Sequence, residues 1–395
     1  MAFFKLIVSR IYANVLSNWL LVAIPMFIFM GLVLEKTGVA KQSLRGAQMA
    51  LGGSAAGMGV SVLVIGVLLA ASSGIVGASV VLIALLALPR LLEAGYDKPT
   101  SAGLIASSGT LAILIPPSVM LIVLGDQLQA PVPDMFAGAI GPGLLLVGLY
   151  AGYVILRMRR APRRVANQAV SAVHAVRRIL VDVAPLGFLV VCVLGSIIGG
   201  LATPTEASGI GAFGAILIAL AYGRFRTAAI MSAARETVVA TSMVMMVMVG
   251  ATCFSAVFRG IGGDELISQG LSSLGGGPWM VLGVVMVSVF VLGFVLDWLE
   301  ITLILMPIFG PIVAGLDFGL TRDATLVWFG VLVAVNLQTS FLTPPFGFSL
   351  FYLRGAVGDQ LATRDVYRGV VPFIALQLVA LGLLMAFPRL VTGLL

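Results

Sequence analysis

Residues 46–89 read GAQMALGGSAAGMGVSVLVIGVLLAASSGIVGASVVLIALLALP, without a single charged side chain. The run is far longer than the ~20 residues one transmembrane helix needs, and a polar Ser72-Ser73-Gly74 step sits near its middle. That pattern reads as a helical hairpin dipping into a membrane and returning. Residues 266–316 repeat the plan, with Asp297 and Glu300 as their only charged side chains. An acid at the bilayer centre costs about 2.5–3.5 kcal/mol on insertion scales, so such residues usually serve a function. Two polar-tipped hairpins at corresponding places point to a secondary transporter.

Of 395 residues, 60% are hydrophobic and 10% charged, too few charges to cover a soluble surface. The chain is an all-α polytopic membrane protein. Its formal charge of +7 does not imply a nucleic-acid partner, because the basic residues lack aromatic partners and lie in short loops. Cys192 and Cys253 fall inside apolar spans and read as packing residues, and the single histidine, His174, as a solvated loop residue. No catalytic triad, Walker loop or zinc-ligand pair occurs, so neither an enzyme nor an ATP-driven pump is expected, and no cofactor. Lys5 and Arg10 interrupt the first apolar run, which argues against a cleavable signal.

Apolar spans are expected at 18–34, 101–124, 137–156, 179–201, 207–222, 237–258, 325–353 and 370–387, with hairpins at 51–88 and 278–316. If both hairpins return to their side of entry, all but five of the 23 lysines and arginines share one side. The five are Lys5, Arg10, Arg259, Arg322 and Arg389, and the positive-inside rule makes the crowded side cytoplasmic. The first hairpin then opens from the cytoplasm and the second from outside, as an inverted-topology repeat requires. The expected division is 1–178 for the first repeat with its cytoplasmic loop, 179–205 for a connector, and 206–395 for the second repeat. Two spans precede the second hairpin and one the first, so an opening helix is expected to be missing.

Each half continues in parallel. After the first hairpin come Gly95-Tyr96-Asp97, an apolar span and Ile115-Pro116-Pro117-Ser118; after the second come Gly315-Leu316-Asp317, a span and Thr343-Pro344-Pro345-Phe346-Gly347. A proline pair inside a span breaks the helix and frees backbone carbonyls, which suit sodium. Just ahead of the breaks lie Ser107, Ser108, Gly109 and Thr110 in one half and Asn336, Gln338, Thr339 and Ser340 in the other. Their hydroxyls and amides are candidate ligands for a cation or a carboxylate, or alternatively packing glue between helices. With Asp297, Glu300 and Thr302 at the second tip, these residues form the candidate site. Asp297 and Glu300 share a face if the tip is helical, and either a cation or an aqueous vestibule must compensate them. Glu206 reads as a helix cap, and the arginines of 157–164 as an orientation anchor touching anionic lipid.

Ala70-Ala71-Ser72-Ser73-Gly74-Ile75-Val76-Gly77, Gly109-Thr110 leading to Ile115-Pro116-Pro117-Ser118, Ala202-Thr203-Pro204-Thr205-Glu206-Ala207, and Leu337-Gln338-Thr339-Ser340-Phe341-Leu342-Thr343-Pro344-Pro345 closely resemble the large, DctM-like membrane subunit of tripartite ATP-independent periplasmic (TRAP) transporters. The resemblance covers nearly the whole chain. The stretches Cys253 to Gly260 and Gly293 to Thr302 look like the subgroup labelled mannitol/chloroaromatic, a label that is not evidence for either substrate. The resemblance implies a sodium-coupled importer of organic anions in the bacterial inner membrane, working by an elevator motion. It implies two partners, a periplasmic substrate-binding protein (DctP-like) and a small four-helix membrane subunit (DctQ-like). Sodium ligands would come from the Ser72-Ser73-Gly74 tip with the Ile115-Pro116-Pro117 break, and from the second tip with the Thr343-Pro344-Pro345 break, with substrate between the tips. Family members usually carry one further apolar helix ahead of the segment resembling residues 1–18. The rivals are a stand-alone sodium/carboxylate symporter of related fold and an intramembrane enzyme, which would need an Asp-rich magnesium motif or a nucleophile with its base.

The charge split makes a direct prediction. In a cysteine-free background, a cysteine at Arg177 should react with an impermeant thiol reagent only from the cytoplasm, and one at Gly263 only from outside. Labelling of both from one face would overturn the inverted arrangement.

Overall fold

The computed structural model describes residues 2–73, 76–159, 172–273 and 275–395. Among them, eight helical segments are long and apolar enough to cross a membrane. The chain opens with α1 (Ala2–Ile11), α2 (Ala23–Lys36) and α3 (Val39–Leu51). The first hairpin follows as α4 (Ala55–Ser73) and α5 (Val76–Glu93), then α6 (Lys98–Thr110), α7 (Val119–Leu128) and α8 (Val132–Met158). Next come α9 (Ala172–Arg178), α10 (Ala184–Ile198), α11 (Pro204–Ala221), α12 (Thr227–Gly260) and α13 (Gly263–Ser272). The second hairpin is α14 (Gly277–Leu292) and α15 (Trp298–Ala314), followed by α16 (Arg322–Leu342), α17 (Phe348–Val357), α18 (Thr363–Ala386) and α19 (Arg389–Thr392).

The succession from α2 to α8 recurs from α12 to α18: a spanning helix, a short amphipathic helix, a hairpin, a helix broken at Pro-Pro, and a closing helix. The amphipathic members α3 and α13 were not anticipated, because their charges interrupt the apolar signal. Each is entered through a left-handed glycine, Gly38 (φ 76°) and Gly262 (φ 78°), a conformation other residues rarely adopt. In α3, Val39, Ala40, Leu44 and Ala47 are buried on one face while Lys41 and Arg45 are exposed. The expected spans 101–124 and 325–353 are each two helices. α12 starts at Thr227, well ahead of the expected 237, and its 34 residues extend about 50 Å, past a ~30 Å apolar layer. Lys36 at the end of α2 meets Glu236 near its start at 2.8 Å.

Packing separates the helices into a frame and a body. In the frame, α2 lies against α11 and α12, and α10 against α11. The buried face of α11 is Ala207, Ser208, Gly211, Ala215 and Ala219, a small-residue stripe that allows close approach without a hydrophobic driving force. Thr203 and Glu206 close a capping box at its entrance, Thr203 N donating to Glu206 Oε2 at 2.8 Å, with Pro204 at the first helical position. Glu206 is thus the cap its sequence context implied. In the body, α16 is buried along Thr325–Leu342, as expected of a central helix apolar on all sides, and packs on α7, α8, α14, α15 and α18.

Cys192 is exposed on α10, not packed inside; Cys253 is half-buried, and both are free thiols. His174 is exposed on α9. The charged loop spanning 160–171, with Arg160, Arg163 and Arg164, lies outside the described residues.

The α6–α18 crossing is the closest in the body. A Cβ added at Gly369 would stand 2.7 Å from Pro99 C and 3.0 Å from Gly103 N, whereas one at Gly382 on the same helix meets nothing within 4 Å. Gly369→Val should therefore lower the thermal unfolding midpoint in detergent by the equivalent of ~1–3 kcal/mol or more, with Gly382→Val near wild type. Equal midpoints for the two variants would show that α6 and α18 can part at no cost.

Candidate functional site

The first break begins where α6 tightens into a 3-10 turn over Leu111–Ile113. Pro116-Pro117, joined by a cis peptide bond, then separates it from α7. Proline 117 has no N–H for the carbonyl four residues earlier, that of Ile113. Ser118 Oγ donates to that carbonyl at 2.7 Å. In the second half Pro345 leaves the carbonyl of Phe341 without its helical donor, and Ser349 Oγ donates to it at 2.6 Å; Pro344-Pro345 is also cis. Ser349 was missed in the sequence because it lies on α17, beyond the break, whereas Ser118 directly follows its prolines. Both serines act first as caps, with lone pairs left for a ligand.

The two broken helices meet. Gln338 Nε2 donates to Thr110 Oγ1 at 3.3 Å, and these residues stand at the same distance ahead of their proline pairs. Gln338 Oε1 is buried without a hydrogen-bond partner among the described residues. Other candidate hydroxyls are spent on their own helices: Ser108 on Leu104 O, Thr110 on Ser107 O, Thr339 on Val335 O, Thr343 on Thr339 O and Thr302 on Trp298 O. These bonds stay within one helix, so they are not glue between helices, and they leave only acceptor lone pairs for a ligand. Asn336 and Ser340 do more, reaching across to α14. Asn336 Nδ2 donates to Met286 O at 2.7 Å, and Ser340 Oγ to Phe290 O at 3.2 Å.

The hairpins are seated close to the breaks. Gly66 on α4 faces Ser108, where an added Cβ would lie 2.8 Å from Ser108 Cβ; Gly293 at the second tip faces Ser340 at 2.7 Å on the same measure. Gly109 packs on Val80 of α5, and Gly347, which opens α17, on the Phe341–Leu342 backbone. α4 and α5 touch the Leu111–Ile113 turn, α5 packs on α17, and α15 packs on α7, so each hairpin touches both halves. Gly74 and the side chains of Ser72 and Ser73 lie outside the described residues. At the second tip Asp297 is the N-cap of α15, without a side-chain cap bond, and Glu300 lies in its first turn. The pair therefore sits at a helix entrance, as N-cap and third residue of one helix, where the dipole favours negative charge. Glu300 Oε2 is buried without a partner.

Residues 3–390 match the family model described as "Tripartite ATP-independent periplasmic transporter, DctM component". The chain belongs to this DctM family. It is 28% identical to the C4-dicarboxylate TRAP transporter large permease protein DctM of Pseudomonas aeruginosa, over 94% of this chain and 85% of that protein. It is 30% identical to the isethionate TRAP transporter permease protein DctMQ of Oleidesulfovibrio alaskensis, over 95% of this chain and 58% of that protein. It is 30% identical to the ectoine TRAP transporter large permease protein TeaC of Halomonas elongata, over 93% of this chain and 84% of that protein. In fold it is similar to the YdaH transporter of Alcanivorax borkumensis, with a TM-score of 0.69, 16% identity, and coverage of 98% of this chain and 88% of that one. The DctM chain is thus a multi-pass membrane permease component of a tripartite transporter, not an enzyme, with the all-helical fold expected from its sequence.

Removing either capping hydroxyl leaves a buried carbonyl without a donor, a loss of ~1–3 kcal/mol. Ser118→Ala and Ser349→Ala should each lower the unfolding midpoint of the purified DctM chain by a corresponding amount. Unchanged midpoints in both would show that the breaks do not depend on these hydroxyls.

Proposed function

We propose that this DctM chain imports small organic anions, carboxylates foremost, across the bacterial inner membrane in symport with sodium. It would work with a DctP-like periplasmic binding protein and a small DctQ-like four-helix membrane subunit. The observation that carries the reading is the meeting of the two broken helices at Thr110 and Gln338, with the Gln338 carbonyl buried and unpartnered. A buried acceptor with no donor fits a hard cation, and unwound backbone beside it is the setting in which transporters coordinate sodium. Thr110, Gln338, the carbonyls of the two breaks and the second tip around Asp297 and Glu300 are the proposed ligands, with substrate between the tips. C4-dicarboxylates, isethionate and ectoine, named for the relatives, all carry a carboxylate or sulfonate group, which supports a substrate with such a group, though ectoine is a zwitterion without net charge. The fused DctMQ relative supports the small-subunit partner.

The recurring helix order supports an inverted repeat divided as 1–178, 179–205 and 206–395. The separation of frame from body supports an elevator motion in which α4–α8 and α14–α18 move against α2 and α10–α12. The stretch Gly293 to Thr302 supports the mannitol/chloroaromatic subgroup.

Asp297→Asn tests the charged tip, because the amide keeps size but loses charge. Uptake into proteoliposomes containing the binding protein and small subunit, across a sodium series, should fall at least ~10-fold with an altered sodium dependence. A wild-type rate and sodium response would place Asp297 in a solvated vestibule and remove it from the site.

A further inference from the structure

Three of the five basic residues that the charge split places outside the cytoplasm, Arg10, Arg259 and Arg322, line one cavity of about 690 Å³. They come from three elements: Arg10 from α1, Arg259 from the end of α12, and Arg322 from the start of α16. Among the described residues, none of the three pairs with a carboxylate. Asp126, the acid on the same wall, is engaged by Asn18 Nδ2 at 2.7 Å and Gln127 Nε2 at 2.8 Å. Arg259 Nη2 donates to Pro307 O at 2.9 Å, the carbonyl that Pro311 cannot serve; among the described residues its other donors have no partner. Three guanidinium groups against the one carboxylate of Asp126 around a cleft of ligand size create a net positive potential that concentrates anions, and their fixed forks match carboxylate oxygens.

We propose that this cavity is an outer binding site for a small organic anion, a mono- or dicarboxylate held by Arg10 and Arg322 with help from Arg259, before it reaches the breaks. The assignment rests on the carboxylate-import reading for the anion's destination. The charge chemistry of the cavity stands apart from it. Arg259 belongs to the frame and Arg322 to the body, so an anion bound to both joins them in the arrangement seen here. Its occupancy favours this arrangement over any that parts α12 from α16.

The test reads the cavity without transport. In a Cys192→Ser, Cys253→Ser background, Ser255→Cys places a thiol in the cavity wall, and Leu201→Cys places a reference on the exposed turn between α10 and α11. The purified full chain is reacted with a sulfonate-bearing methanethiosulfonate and with its trimethylammonium counterpart. The anion-over-cation rate ratio should be at least ~10-fold higher at position 255 than at 201. Arg322→Gln and Arg10→Gln, tested separately, should each cut it severalfold, and millimolar succinate, but not succinamide, should slow the reaction at 255. A ratio equal to the reference, or one indifferent to both arginine variants, overturns the site. A charge preference that neither succinate nor isethionate protects also overturns it, since the arginines would then serve an acidic partner surface. If the site is upheld but sodium-driven uptake is absent, the coupling reading fails and the outer site does not.

Discussion

A proline inside a helix leaves a carbonyl that its own helix cannot satisfy, and much of this molecule is organised around that deficit. Five such carbonyls, each four residues ahead of a proline, receive a side-chain donor. Ile113 O takes Ser118 Oγ, Phe341 O takes Ser349 Oγ, and Pro307 O takes Arg259 Nη2. Leu384 O, ahead of Pro388, takes Trp328 Nε1 at 2.9 Å. Val181 O, ahead of Pro185, takes the Tyr222 hydroxyl. The last three link separate helices: α12 to α15, α16 to α18, and α11 to the segment leading into α10. A local backbone defect becomes a tertiary tie, which matters where apolar contact alone cannot tell a neighbouring helix from lipid.

The same logic explains how two broken helices can be stable at the centre of the body. Each break is closed by a serine, crossed by a hairpin of its own half, and braced by the hairpin of the other: α5 lies on α17 and α15 on α7. The body therefore cannot lose one half without exposing the backbone of the other. In the proposed cycle this is what lets the hairpins and breaks travel as one unit, with the frame meeting it through α12 on α15, α2 on α4 and Asn18 with Asp126.

Much of this was legible in the sequence. Charge-poor runs with polar centres located both hairpins, the proline pairs located both breaks, and the place of Glu206 at a helix entrance marked it as a cap. The amphipathic helices α3 and α13 were hidden because the charges of one face, Lys41 and Arg45 in α3 and Asp264 and Glu265 in α13, interrupt the apolar signal. The cross-helix donors Arg259, Trp328 and Tyr222 were hidden because pairing a side chain with a proline-freed carbonyl depends on tertiary placement, with sequence separations of 48, 56 and 41 residues. The role of Gln338 was half visible: its amide type and place before Pro344 marked it as a possible ligand, but its bond to Thr110 exists only once the halves meet.

The halves are alike in plan and unlike in chemistry. At equivalent places one offers Thr110, a hydroxyl, and the other Gln338, an amide long enough to cross the gap and leave its carbonyl unspent. The first hairpin's sequence carries Ser-Ser-Gly near its middle, and the second places Asp297 and Glu300 at a helix entrance. A strictly symmetric pair of halves would present the same chemistry to both sides of the membrane. Both acids of the second tip, and the Gln338 carbonyl that has no donor among the described residues, lie in the second half. That inequality is carried by side chains on a repeated backbone, and relatives that share the backbone can therefore bear names as different as dicarboxylate, isethionate and ectoine.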